Sequence, residues 1–412
     1  MGTTATPESV GMNAARLARI GPAMQRFVDA GHIAGANTLV ARHGEVVHTA
    51  QIGDRDREAG TPMTADTIFR IYSMTKPVVS TALMLLHEEG AFQLEHPVAK
   101  YLPAFGATQV MEADGTLVDQ ARPMEVRDLL THTSGLTYDF MVDNPAAALY
   151  REARVMNDMS RTLEQCIDVI AELPLASQPG ERWRYSVGID VAARLIEVLS
   201  GQTIAAFLQE RFFGPLGMGD TGFSVADSSL DRLAAMYGLP DLIGRDYHAG
   251  KLVEAALAGF NERLDVDETY PTDQPETFPR GGVGLFSTIG DFHRFAQMLC
   301  NGGTHDGERI IGRKTLELMH SNHLPAELMP WEILGQENPG MGFGLGSRVM
   351  LDVAATRGPG SVGEFGWAGA AKTYFWVDPA EDLVGLLMTQ YMTGVEQPDR
   401  SFRSLVYGAI DD

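Results

Sequence analysis

Cysteine is nearly absent from this chain: two occur in 412 residues, Cys166 and Cys300. They form no C-x-x-C, so neither a disulfide scaffold nor a thiolate zinc site is indicated. Both fall on apolar faces of predicted helices, the pattern of buried free thiols in a reducing compartment. Positive charge is scarce as well. Lysine and arginine number 32 against 54 aspartates and glutamates, a formal net charge of -22. Such a surface repels phosphate backbones and anionic lipid heads, so neither nucleic acid nor a membrane is an expected partner. Long apolar runs are missing; stretches such as Ala82 to Leu86 are far too short to cross a bilayer. The first residues show no basic region followed by an apolar one, so a cytoplasmic protein is the expectation. The eleven histidines are scattered without an H-E-x-x-H, and the glycines at 281 to 284 lack the lysine of a phosphate loop. No metal and no cofactor is therefore called for.

Apolar residues make up 44% of the chain, enough for a large core. The periodicity predicts a helix after Asn13 with Leu17, Ile20, Met24, Phe27 and Val28 on one face, stopped at Gly31. Strands over 36–42 and 45–52 follow, joined at His43-Gly44. A helix begins at Ser73 and ends at Gly90. Residues 94–274 read as helical and loop-rich, with a capping box at Thr162 to Gln165 and long surface loops over 220–279. Thr288 caps a helix bearing Phe292, Phe295, Ala296 and Leu299. Strands over 372–377 and 383–390 precede a last helix marked by Phe402, Leu405, Val406 and Ala409. The economical architecture is α+β: one antiparallel sheet built from both chain ends, flanked by helices, with a mostly helical lobe inserted. The expected division is 1–95 with 275–412 as the sheet domain and 96–274 as the helical domain, the active site lying in the cleft between them.

Ser73-Met74-Thr75-Lys76 is an S-x-x-K at a helix start. Residues three apart share one helical face, so the amine of Lys76 can reach the hydroxyl of Ser73. The helix's amino end favours negative charge developing on the serine oxygen. It gives a lysine no structural reward, which weighs against a merely decorative Lys76. Arg184-Tyr185-Ser186-Val187 precedes another helix, and a phenolate beside an ammonium could take and return the serine proton. Taken alone, Tyr185 reads equally as a packed loop tyrosine. Glu364 to Ala370, E-F-G-W-A-G-A, leads into a strand; its small residues let a substrate approach backbone N–H groups. Gly222 to Ala226 nearly matches the G-x-S-x-G elbow, but Ser224 lacks the strand and helix that motif needs. His132 reads as a hydrogen-bonded structural residue.

In this order the three segments resemble the serine β-lactamase and penicillin-binding-protein superfamily, in the class C β-lactamase-like branch called family VIII carboxylesterases. The likeness is carried further by Phe69 to Tyr72 (F-R-I-Y), Leu129 to Leu136 (L-L-T-H-T-S-G-L), Pro215 to Met218 (P-L-G-M) and Gly281 to Thr288 (G-G-V-G-L-F-S-T). It runs from about Ala14 to Tyr407. The resemblance implies a serine hydrolase in which Ser73 is the acyl-forming nucleophile and Lys76 with Tyr185 the coupled base. It implies an oxyanion hole from the N–H groups of Ser73 and Ala370, and an acyl site shaped by Trp367 and Gly369. Two departures stand out. Val187 takes the third place of the family's Y-x-N, where it becomes a candidate substrate contact. Trp367-Ala368-Gly369 stands where β-lactamases have K-T-G. Loss of that lysine argues for an uncharged, short-chain ester as the small-molecule partner. Lys372 reads as strand, though a shifted alignment would make it a substrate contact. The same resemblance leaves a β-lactamase, a D-amino-acid peptidase or transacylase, and a penicillin binder without turnover as alternatives. Nothing in the pattern commits the chain to an oligomeric state.

Overall fold

The computed structural model of the protein describes residues 2–141, 143–238, 262–273, 279–392 and 397–412. Its centre is an eight-stranded sheet. The spatial order is Met341–Phe343, Arg348–Met350, Phe365–Ala368, Tyr374–Asp378, Leu383–Met388, Gly35–Arg42, Glu45–Asp56 and Thr61–Pro62, each pair antiparallel. The first strand of the chain thus lies beside one of the last, with Asn37 opposite Met388 and Arg42 opposite Leu383. At His43-Gly44 both residues take positive φ, 53° and 77°, which the tight turn between the first two strands requires.

Both faces of the sheet are covered, and the two-residue period sorts side chains between them. On one face Val40, Trp376, Leu383 and Leu387 pack with Ile20, Met24, Phe402 and Val406. That face carries the helices Ile20–Asp29 and Pro398–Tyr407, which also pack on each other. On the other, Leu39, Ala41, Phe375, Val377, Val384 and Leu386 meet Phe292, Phe295 and Leu299 of the helix Ile289–Cys300. Each fully buried side chain of this kind contributes about 1.5–3 kcal/mol. Gly385 has a packing reason: a methyl group there would sit 2.2 Å from the indole of Trp376, its cross-strand neighbour.

A fully buried carboxylate fastens the C-terminal helix to the sheet. Glu364 accepts from Arg348 at 3.0 Å, from Arg403 and from the Tyr407 hydroxyl. Removing one partner from such a cluster costs about 3–5 kcal/mol. The helices described between residues 96 and 274 include Val126–Leu130, Ala146–Glu152, Leu163–Glu172, Gly188–Ser200 and Ile204–Leu208. Gly188–Ser200 packs on Thr75–Glu88, whose residues 75 to 86 are all buried.

Several expectations need correction. The first predicted helix is two, Ala14–Leu17 and Ile20–Asp29. Pro22 is the cause: it has no N–H for the carbonyl of Ala18, and its ring crowds that carbonyl. The stretch 220–279 is not all loop. It holds the 3-10 turn Asp227–Arg232 and the strand Met236–Gly238, which pairs with Glu262–Leu264 and Tyr391–Met392. Residues 239–261 and 274–278 of that stretch lie outside the described ones. Lys372 is not in a strand but in a turn at φ 56°, ahead of Tyr374–Asp378. Cys166 is buried as expected, whereas Cys300 is only half-buried at its helix end, its Sγ 3.3 Å from Asp382 Oδ1. The capping box at Thr162 and the Thr288 cap are both formed. Among the described residues no single helix is long and apolar enough to cross a membrane.

Candidate active site

Ser73 sits in the 3-10 turn Tyr72–Met74, which runs directly into the helix Thr75–Glu88. Tyr72 takes φ 44°, a left-handed conformation unusual for a tyrosine, immediately before the serine. Neighbouring segments hold that turn. Strand Ile68–Arg70 pairs with Phe286–Thr288, the Ile71 N–H donates to the Leu285 carbonyl, and the Leu285 N–H donates to the Thr75 hydroxyl. The glycine-bearing segment before Phe286 is thereby brought against the serine.

Three side chains converge. The Lys76 amine lies 3.0 Å from Ser73 Oγ, and the Tyr185 hydroxyl lies 2.6 Å from the same oxygen. Lys76 also donates to the Gly282 carbonyl at 2.8 Å, and its nitrogen stands 4.5 Å from the Tyr185 ring centroid. Lys76 is 1% exposed and Tyr185 8%, so these interactions act in a low-dielectric setting that strengthens them.

Tyr185 is aimed from the segment ahead of Gly188–Ser200. The Arg184 N–H donates to the His132 carbonyl at 2.7 Å, and its guanidinium bridges Thr137 Oγ1 and Asp143. His132 is fully buried, 3.4 Å from Ser186 Oγ and edge-on to Tyr185 at 4.9 Å. Burial, and then the nearby Lys76, hold its ring neutral well below the usual imidazole range. It is a structural support for the phenol.

Ser73 opens into a cavity of about 570 Å³. Tyr138, Phe140, Met156, Val283, Trp331, Met341 and Trp367 line it. Gly369 and Ala370 are on the same wall. Gly369 has no room for a side chain: a methyl group would lie 2.3 Å from the Ile71 carbonyl. Its backbone therefore rests against the segment that leads into Ser73. Trp367 packs near Phe343, Trp331 and Tyr185, with centroids 5.2, 6.0 and 5.9 Å away. Lys372 is on the wall too.

Val187 is elsewhere. It is fully buried in the main core at the amino end of Gly188–Ser200 and does not line the cavity. It packs the helix start, away from the cavity wall on which a substrate contact is expected. Ser224 lies outside helix and strand, on a separate cavity with Phe213 and Asp220. Sequence reasoning passed over the roles of Gly282, Tyr138, Asp190, Trp331 and Phe343. Gly282 and Asp190 left a trace, the first inside the G-G-V-G phrase, the second an acidic residue within an apolar helical stripe. The aromatic residues left none, since they converge from separate segments. Among the described residues no cluster of three or more His, Cys, Asp or Glu is suited to a metal.

Comparison with known proteins identifies the family. A family model described as Beta-lactamase matches residues 22–407. Protein Rv1367c of Mycobacterium tuberculosis is 35% identical over 377 residues, 89% of this chain and 88% of its own length. Esterase EstB of Burkholderia gladioli is 31% identical over 393 residues, 93% of each chain. The structure of EstCE1, a hydrolase with promiscuous acyltransferase activity, superposes with a TM-score of 0.78 at 29% identity, covering 96% of this chain and 99% of its own. The chain belongs to the beta-lactamase family, and hydrolase activity within that fold has the support of esterases among its relatives.

Proposed function

We propose that the protein is a serine carboxylesterase that cleaves small, short-chain esters through an acyl-enzyme on Ser73. The observation that carries this reading is the contact of one serine oxygen with both an amine, at 3.0 Å, and a phenol, at 2.6 Å, on a cavity wall. Ser73 attacks the ester carbonyl while Tyr185, coupled to Lys76, takes its proton. The N–H groups of Ser73 and Ala370 receive the oxyanion, which is the larger electrostatic contribution, each donor being worth about 10²–10³ in rate. Tyr185 returns the proton to the departing alcohol. Water then releases the acid by the same route. The division into 1–95 with 275–412 and 96–274 fits this reading. Ser73, Trp367 and Ala370 reach the cavity from the first part, Tyr138, Met156 and Tyr185 from the second.

A second reading, cleavage of an anionic amide such as a β-lactam, is favoured by Lys372 on the cavity wall. One panel of assays decides. Turnover of p-nitrophenyl butyrate is expected in the native protein and none above background in folded Ser73→Ala. Normal turnover in that variant sinks the proposal. Cephalosporin hydrolysis as fast as ester hydrolysis moves the assignment to the second reading.

A further inference from the structure

Lys76 is shut away from water, and a charged group in that position needs an opposite charge close by. The sequence supplies one in an unexpected place. Asp190, in the first turn of Gly188–Ser200, is 1% exposed and sits among Ile189, Val191 and Ala192 of a buried stripe. A single residue, Gly282, connects the two groups through its backbone. The Gly282 carbonyl accepts from Lys76 at 2.8 Å, and the Gly282 N–H donates to Asp190 Oδ1 at 3.1 Å. Among the described residues the other carboxylate oxygen, Oδ2, has no hydrogen-bond partner, and neither does the Tyr138 hydroxyl. Both crowd the bare Cα of Gly282: a methyl group there would lie 2.6 Å from Asp190 Oδ2 and 2.8 Å from the Tyr138 oxygen. The Lys76 nitrogen is 5.2 Å from the Tyr138 ring centroid. A buried carboxylate left half-satisfied is costly unless its charge is used.

We propose that Asp190 is a positioning residue of the catalytic centre, the buried counter-charge that sets the protonation state of Lys76 across the backbone of Gly282. The proposal rests on the esterase reading of Ser73 and Lys76. Electrostatics agree with the geometry. Burial pushes the Asp190 carboxyl above the usual range, and the largest influence pulling it back is Lys76, ahead of the Gly282 N–H and Arg280. The groups around the pair complete the picture. Tyr138 and Tyr185 face Lys76 with their rings. Tyr138, whose own ionisation burial pushes far up, also feels Asp139. His132 is held neutral and contributes no charge. Cys166, its thiol pushed up by burial, lies within the field of Arg280 and Asp190.

The sign follows. Losing a nearby negative charge makes an ammonium give up its proton more easily. In Asp190→Asn the limb of the kcat/KM–pH profile governed by Lys76 therefore moves to lower pH by about one unit or more. Asp190→Glu keeps the charge and keeps the limb where the native protein has it, even with a lower kcat. A merely structural Asp190 predicts loss of rate in both variants with no displacement of the limb, and that outcome overturns the proposal. So does an equal displacement in the Glu variant. Circular dichroism checks folding; if the Asn variant does not fold, Asp190→Ser takes its place, with the same displacement expected and an unmoved limb overturning the proposal. Intact-mass detection of an acyl adduct on native Ser73 keeps the two ideas apart. No adduct removes the esterase reading; an adduct with an unmoved limb removes only the role given to Asp190.

Discussion

At the scale of single residues, the closest tolerance in the site belongs to Gly369. Adding a methyl group there meets the backbone carbonyl of Ile71 at 2.3 Å, and a backbone atom next to the nucleophile's turn cannot swing aside. Gly369→Ala is therefore expected to push the neighbouring Ala370 N–H off its position. A loss of about 10²–10³ in kcat/KM follows, the worth of one oxyanion donor. Steady-state kinetics beside a melting curve test this, since unchanged kinetics would mean the wall at 369 does not shape the reacting centre. Residue-level reading from the sequence worked where the chemistry is local. Ser73 and Lys76 are one helical turn apart, so their 3.0 Å contact needs only a helix. It failed at Val187. Two residues after Tyr185 the chain is already turning into a helix, and that turn sends the side chain into the core. It passed over Asp190 because an acidic residue in the first turn is ordinary for a helix, which masked the apolar stripe it interrupts.

At the scale of elements, capping and turn chemistry were readable, whereas tertiary strand pairing was not. Thr162, Thr288 and His43-Gly44 do locally what their residue types favour. Strands Met341–Phe343, Arg348–Met350 and Phe365–Ala368 are short, and the first and last hold a glycine, so they carry no alternation long enough to see. One of them depends on a histidine. His320, capping the helix Arg313–Met319, stacks on Phe365 with centroids 3.4 Å apart. Burial lowers its imidazole from the usual 6.5 to about 3. The unfolded chain then binds the extra proton across that window, so this contribution to stability is whole above pH 6.5 and drains away toward pH 3. His48 and His293, each lowered to about 4, act with the same sign. Melting temperature is expected to fall steadily from pH 7 to pH 4, with a shallower fall in His320→Phe. Parallel curves for the two proteins would show that the ring is charged in the fold.

At the scale of the molecule, an antiparallel sheet drawn from both ends of the chain was legible. Short runs holding strand-forming apolar residues sit at 36–42 and 383–388, and every residue of both strands is buried. What no local pattern could convey is the adjacency itself, Asn37 beside Met388. That adjacency has a temporal price. A ribosome delivers Leu39 and Val40 early and their second neighbour hundreds of residues later. For most of its synthesis the nascent protein presents a raw, adhesive ribbon, ready to recruit the wrong neighbour. Chains cut short before Leu383 are thus expected in the pellet after lysis and the full-length chain in the supernatant. Cells making this protein must shelter an unfinished molecule until almost its last syllable has been spoken.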